Sequence, residues 1–177
     1  MEVSIIEKAI SGDDESFLIM MKTYKNDIYK TALAFLKNKE DALEVLQEVT
    51  ARAYQKRHQL REPRYAKTWL VRITIHYCQD LIKHKKRIHT REEITLAQEQ
   101  RDETGRIVLE DAISSLPPKE QELVYLKYFH GLTFRELSKI MRVKENTLKT
   151  RLYTALSKLK QELGEEDPYE QARSRTK

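Results

Sequence analysis

Four glycines and four prolines are all that punctuate 177 residues. So few turn residues leave little with which to build hairpins, whereas Lys, Arg, Glu, Leu and Ala supply strong helix formers. The chain is therefore expected to be all-α. A short amphipathic stretch from Ser4 to Ile10 ends at Ser11-Gly12, and Asp13 or Asp14 then caps a long helix to about Leu36. Phe17, Met20, Met21, Tyr24, Ile28, Ala32, Phe35 and Leu36 recur at helical spacing and give that helix one apolar face. Asn38-Lys39-Glu40 breaks the pattern. Asp41, with Glu44 three residues on, has the form of a capping box opening a second helix to about Lys56. Arg61-Glu62-Pro63-Arg64 reads as a turn, and Tyr65 to Lys86 as a third long helix carrying Trp69, Leu70, Ile73, Tyr77 and Leu81.

From Arg87 to Arg106 the sequence turns polar and poor in apolar residues, the composition of a tether. Beyond it, Leu116-Pro117-Pro118 opens a helix from Lys119 to His130, with Leu123, Val124, Leu126, Tyr128 and Phe129 mostly inward and Gly131 as its stop. Thr133-Phe134-Arg135-Glu136 forms another capping box, ahead of a short helix to Met141. Arg142-Val143-Lys144 is a tight turn, and Glu145 to Leu163 the last helix. The expected organisation is two small helical domains, 1–87 and 108–164, joined by a polar tether at 88–107 and followed by a polar tail at 165–177.

Charge is distributed unevenly. The net charge is +5, but between Arg52 and Arg91 the only acids are Glu62 and Asp80, against a long series of Lys and Arg. A local basic excess of this kind fits a nucleic-acid partner. Cys78 is the only cysteine, consistent with a reducing compartment. The N-terminus lacks a signal-peptide pattern, and no apolar run approaches the roughly 20 residues of a membrane span. The protein is expected to be cytoplasmic, without direct membrane insertion. No phosphate-cradling glycine loop, paired-His metal motif or nucleophile elbow occurs, so no catalytic residue, metal or cofactor is assigned.

A short capped helix, a three-residue turn and a longer basic helix make a helix-turn-helix. Phe134, Leu137 and Ile140 must pack on Leu148 and Leu152 to hold the crossing angle. That leaves Asn146, Thr147, Lys149, Thr150, Arg151, Tyr153 and Thr154 to meet DNA, the inner ones reading base edges and the flanking Arg151 and Lys158 touching phosphates. The bland counterpart is a helical hairpin with a solvated basic face.

The stretches Asp111 to Glu120, Leu126 to Leu137 and Asn146-Thr147-Leu148-Lys149-Thr150-Arg151-Leu152 resemble region 4 of the sigma-70 family, in its extracytoplasmic-function (ECF, group 4) branch. The resemblance implies that this helix-turn-helix reads the −35 promoter element and that neighbouring surface docks on the polymerase β flap. The family often has Gly where Asn146 stands, and Asn is also a competent helix-start residue.

The first half carries its own resemblance. Asp41-Ala42-Leu43-Glu44-Val45-Leu46-Gln47-Glu48 is similar to the Asp-Ala-x-Asp-x-x-Gln-Glu signature of sigma region 2, with Glu44 replacing Asp. This implies that Asp41, Glu44, Gln47 and Glu48 grip the coiled coil of the polymerase β′ clamp. Thr68-Trp69-Leu70 through Lys83 resembles the family's −10 recognition helix, with His76 at an Asn position, Asp80 matching, and Lys83 at an Arg position. The loop ahead of it would capture an unstacked base. Tyr65 is suited to stack on that base, or equally to pack the helix entry, while Arg61, Arg64 and Lys67 hold phosphates. Arg72 belongs to the same −10 set, and Trp69 is assigned to the core.

Together these resemblances imply an alternative sigma factor that binds core RNA polymerase and promoter DNA. They also imply a partner common in the family, an anti-sigma factor. The competing expectation is a conventional helix-turn-helix regulator that binds DNA without polymerase.

Overall fold

The computed structural model describes residues 2–89 and 105–163. Every regular element among them is helical, and the chain divides into two compact units, Met1–Leu96 and Ala97–Lys177. Most of the stretch expected as a tether, 88–107, and all of the expected tail lie outside the described residues. At the tether's edges, helix continues to His89 and resumes at Gly105.

The first unit contains α1 (Val3–Ser11), α2 (Asp14–Leu36), α3 (Lys39–Lys56), two 3-10 turns (Arg57–Gln59 and Pro63–Tyr65) and α4 (Ala66–His89). Its boundaries have local causes. Gly12, at φ 115°, ends α1 in the left-handed region that glycine enters without a Cβ penalty. Asp13, rather than Asp14, caps α2, accepting the Ser16 amide at 2.7 Å. Hydrogen bonds from the Ser16 side chain and amide hold the Asp13 carboxyl below its ordinary pKa.

The junction of α2 and α3 departs from the sequence expectation. Lys37 takes a left-handed conformation and returns its amide to Leu33 O at 2.8 Å. Asn38 then caps α3, accepting the Asp41 amide at 2.9 Å. The Asp41–Glu44 capping box does not form, because Asn38 reaches the first free amides before Asp41 does. Asp41 becomes a first-turn residue, and its carboxylate is left available for another partner.

Helix α2 is the centre of this unit, packed on α1, α3 and α4, while α3 also packs on α4. Phe17, Met20, Ile28 and Ala32 of α2 are buried against Ala42, Val45, Val49 and Ala53 of α3 and Leu70 and Cys78 of α4. Small residues along α3 let the three helices approach closely. Tyr24, Phe35, Leu36 and Trp69 border this core, half-buried, so Trp69 does pack on it as expected. The buried Thr31 and Thr74 hydroxyls donate to carbonyls four residues back, at 2.6 and 2.9 Å. They satisfy themselves within their own helices.

The second unit contains α5 (Gly105–Ser115), α6 (Pro118–Val124), a π-helical segment (Tyr125–Phe129), α7 (Phe134–Met141) and α8 (Glu145–Glu162). The single helix expected from Lys119 to His130 is thus interrupted. The wider turn stacks Tyr125 on Phe129, with ring centroids 4.6 Å apart. Leu123, Val124 and Leu126 are buried as expected, but Tyr128 and Phe129 are exposed. Gly131, at φ 65°, then turns the chain, and the Leu132 amide closes the loop onto Leu126 O at 3.2 Å. Among the described residues no helix is long and apolar enough to cross a membrane.

Candidate nucleic-acid interface

Two places could touch nucleic acid, one on each unit. In the second unit α7 and α8 build a helix-turn-helix. The Thr133–Glu136 capping box forms as the sequence predicts: the Thr133 amide donates to Glu136 Oε2 at 2.8 Å, and the Glu136 amide donates to Thr133 Oγ1 at 3.3 Å. Arg142 ends α7 in the left-handed region at φ 56°, and α8 begins at Glu145. Leu137 is buried, as are Leu148, Leu152, Ala155 and Leu159 along one stripe of α8.

At about 100° per residue, that stripe fixes the rest of the helix. Asn146, Thr150, Tyr153 and Thr154 fall on the opposite side and are exposed, Tyr153 by 68%. Thr147 and Lys149 are exposed at its edges. Arg151 borders the buried stripe and is half-buried. The Thr150 and Thr154 hydroxyls donate to the Asn146 and Thr150 carbonyls, both at 3.0 Å, and keep their lone pairs for an incoming donor. Lys149 Nζ lies 5.7 Å from the Phe134 ring centroid, with Lys127 Nζ 5.1 Å from the same centroid. Lys158, assigned from sequence to phosphates, instead pairs with Glu120 at 3.1 Å.

In the first unit, Arg72, His76, Asp80 and Lys83 share one stripe of α4 with Trp69. His76, Asp80 and Lys83 are exposed, and Arg72 is half-buried. The loop ahead of α4 holds an exposed Arg61, and Arg64 pairs with Glu62 while lying 5.0 Å above the Tyr65 ring. Lys67 is not brought together with this set. It falls on the other side of α4 and pairs with Asp27 of α2 at 2.8 Å. Asp27 lies 40 residues upstream, so nothing in the local sequence announced the pair. An exposed pair of this kind contributes about 0–1 kcal/mol and exchanges readily.

On α3, Asp41, Glu44 and Glu48 follow one face, with Gln47 at its edge. Glu44 and Gln47 are exposed, Asp41 and Glu48 half-buried. Two of the acids already hold cations of their own chain: Asp41 takes Lys85 of α4 at 2.6 Å, and Glu48 takes Arg52 at 2.7 Å. The Arg52 guanidinium also lies 4.3 Å over the Tyr77 ring. Arg52 and Tyr77 were not assigned to a functional site from sequence, although the Glu48–Arg52 spacing of four was a visible signal. Among the described residues, no cluster of His, Cys, Asp or Glu could hold a metal ion.

A helix-turn-helix on one unit, and a basic loop-and-helix beside an acidic helix face on the other, are the features of a DNA-binding protein. The family models for Sigma-70 region 2 and Sigma-70 region 4 match residues 20–88 and 106–159. The chain is 30% identical to RNA polymerase sigma factor SigV of Bacillus subtilis (strain 168) over 147 residues, covering 81% of this chain and 89% of that one. It is 27% identical to ECF RNA polymerase sigma factor SigW of the same organism over 176 residues, 89% of this chain and 94% of that one. Among solved structures, CnrH, determined in complex with the cytosolic domain of CnrY, matches its fold with a TM-score of 0.66 at 17% identity, over 93% of this chain and 98% of that one. The chain belongs to the extracytoplasmic-function RNA polymerase sigma factors, and it is an alternative sigma factor that directs transcription initiation.

Proposed function

We propose that this sigma factor recognises its promoters at two elements through the residues described above. The loop and α4 stripe (Arg61, Arg64, Tyr65, Arg72, His76, Asp80 and Lys83) take the −10 element, with Lys67 contributing once it exchanges Asp27 for phosphate. Asn146, Thr147, Lys149, Thr150, Arg151, Tyr153 and Thr154 of α8 take the −35 element. Asp41, Glu44, Gln47 and Glu48 engage the β′ clamp coiled coil of core polymerase, and surface of the second unit engages the β flap. The domain division is 1–87 and 108–164, with 88–107 as tether and 165–177 as tail.

The observation that carries this reading is the exposed polar side of α8, set opposite an apolar stripe that holds it against α7. Base edges are read by side chains presented in this way. Two weak sites joined by a tether give selectivity only when polymerase fixes their spacing. The reading places the protein in the cytoplasm, with no reaction of its own. The sigma factor RpoE of Bartonella quintana, whose structure in complex with the anti-sigma factor NepR matches this fold with a TM-score of 0.59 at 15% identity over 87% of this chain and 98% of that one, supports an anti-sigma factor as a further partner of this chain.

The test compares DNA binding with and without core polymerase. Promoter-selective binding is expected only when core polymerase is present. Tight binding of the free protein to a palindromic site would replace this reading with a conventional regulator.

A further inference from the structure

Of the first-unit cations that sequence assigns to DNA, Arg61, Arg64, Lys67 and Lys83 are exposed and Arg72 is half-buried. Arg57 differs: its side chain is only 20% exposed, and it is held on several sides. Its guanidinium carbon lies 4.0 Å over the Tyr54 ring, and its Nη2 lies 3.7 Å from Asp14 Oδ1. The Tyr54 hydroxyl donates to that same Asp14 oxygen at 2.9 Å. Phe17 of α2 meets the Tyr54 ring edge-on at 5.2 Å. Four side chains thus join the start of α2 to the end of α3.

What they hold in place is the loop. Arg57 begins the 3-10 turn that leaves α3, and its carbonyl accepts the Leu60 amide at 3.2 Å. Leu60 is buried in the core, so the upstream end of the loop is pegged within three residues of Arg57. Downstream, the Tyr65 amide donates to Glu62 O at 3.0 Å as the chain enters α4. Helix α1 packs against both turns. It ends at Gly12, where an added Cβ would lie 3.8 Å from Arg57 Nη2. Helix α1, Asp14 and Phe17 all lie before residue 20, outside the stretch matched by the region 2 model.

We propose that α1 and the Asp14–Tyr54–Arg57 clasp are the frame that positions the base-capturing loop, with Arg57 as a positioning residue and not a phosphate contact. The inference rests on the reading that residues 61–67 meet the −10 element. A loop that must hold a splayed base gains from supports that fix its ends before DNA arrives. Arg57 spends its charge on Asp14 and its planar face on Tyr54, the geometry that makes arginine effective at stacked sites.

The experiment uses holoenzyme assembled from core polymerase and the full chain as wild type, Arg57→Ala, Arg57→Lys, Tyr54→Phe or Asp14→Asn. Its probe is promoter DNA recovered with the wild type, carrying a fluorescent purine in the −10 element to report base unstacking. Arg57→Ala is expected to reduce unstacking and discrimination among −10 variants roughly tenfold, the scale of part of one base stack. Tyr54→Phe and Asp14→Asn should each lose roughly threefold in the same direction, the scale of one hydrogen bond. Core affinity and −35 preference should stay unchanged, and Arg57→Lys should recover part of the loss. A loss confined to the Arg57 variants would mean a phosphate contact and overturn the clasp, as would wild-type behaviour of Arg57→Ala. An equal fall in core affinity and −35 preference would reduce the clasp to general stability and overturn it too. If the wild-type holoenzyme itself ignores −10 substitutions, it is the assignment of residues 61–67 that fails.

Discussion

Lys85 Nζ lies 2.6 Å from Asp41 Oδ2, so the last described side chains of α4 are tied to the first turn of α3. One partner comes from the basic run near the end of the −10 helix, the other from the acidic face assigned to polymerase. The pair is formed in the free protein, where Asp41 waits with a cation already in place.

Because the Lys85 and Asp41 side chains are 48% and 24% exposed, the pair contributes about 0–1 kcal/mol to folding. Lys85→Ala should therefore leave the urea-unfolding midpoint nearly unchanged. Reversing the charge of Asp41 and Glu48 to Lys should weaken core-polymerase binding while the helical circular dichroism is retained. Unchanged core affinity would remove these residues from the interface.

On α8, Lys149→Ala or Thr150→Ala should relax −35 preference at one or two base positions, costing about 1–3 kcal/mol at the preferred sequence. Binding of the holoenzyme to a panel of single-base −35 variants measures this directly. Uniform weakening across the panel would mean that these side chains touch phosphate only.

At the turn between α7 and α8, Arg142 holds φ 56° without glycine's freedom. Arg142→Gly should relieve that strain and stabilise the helix-turn-helix by about 0.5–1 kcal/mol. Chemical denaturation followed by hydrogen-exchange protection of the α7 and α8 amides reads the shift. A lowered midpoint would show that the arginine side chain contributes more than its backbone costs.

Cys78 is fully buried in the first unit, and burial pushes its thiol up to about 12. Since the folded value lies above the ordinary 9.0, the contribution to stability is complete below 9.0 and is lost as pH rises from there toward about 12. At about pH 8 the native thiol should resist a disulfide reagent and react fully after unfolding. Fast reaction in the native state would contradict this packing.

The legible parts of this molecule are those encoded within a turn or two of helix. Thr133 and Glu136 announce their capping box because both partners lie three residues apart, and Leu137, Leu148 and Leu152 announce the apolar seam through spacing alone. The start of α3 was misread because Asn38 and Asp41 are both able to cap, and only the left-handed Lys37 decides between them. The π turn carried no sequence signal, and Tyr128 and Phe129 were read as inward from their apolar character, although at about 100° per residue Tyr128 lies opposite Leu126. Lys67–Asp27, Lys85–Asp41 and Arg57–Asp14 are tertiary pairs of 40 or more residues' separation. No local pattern carries them, so the sequence assigned Lys67 by its charge and overlooked Arg57.

The measurement that tests the central claim most directly is transcription by bacterial core RNA polymerase on a randomised promoter library, with and without this protein, followed by sequencing of the run-off transcripts. The account predicts transcripts that depend on the protein and start downstream of a shared two-part motif. Transcripts with only one conserved element, or none that depend on the protein, would contradict it.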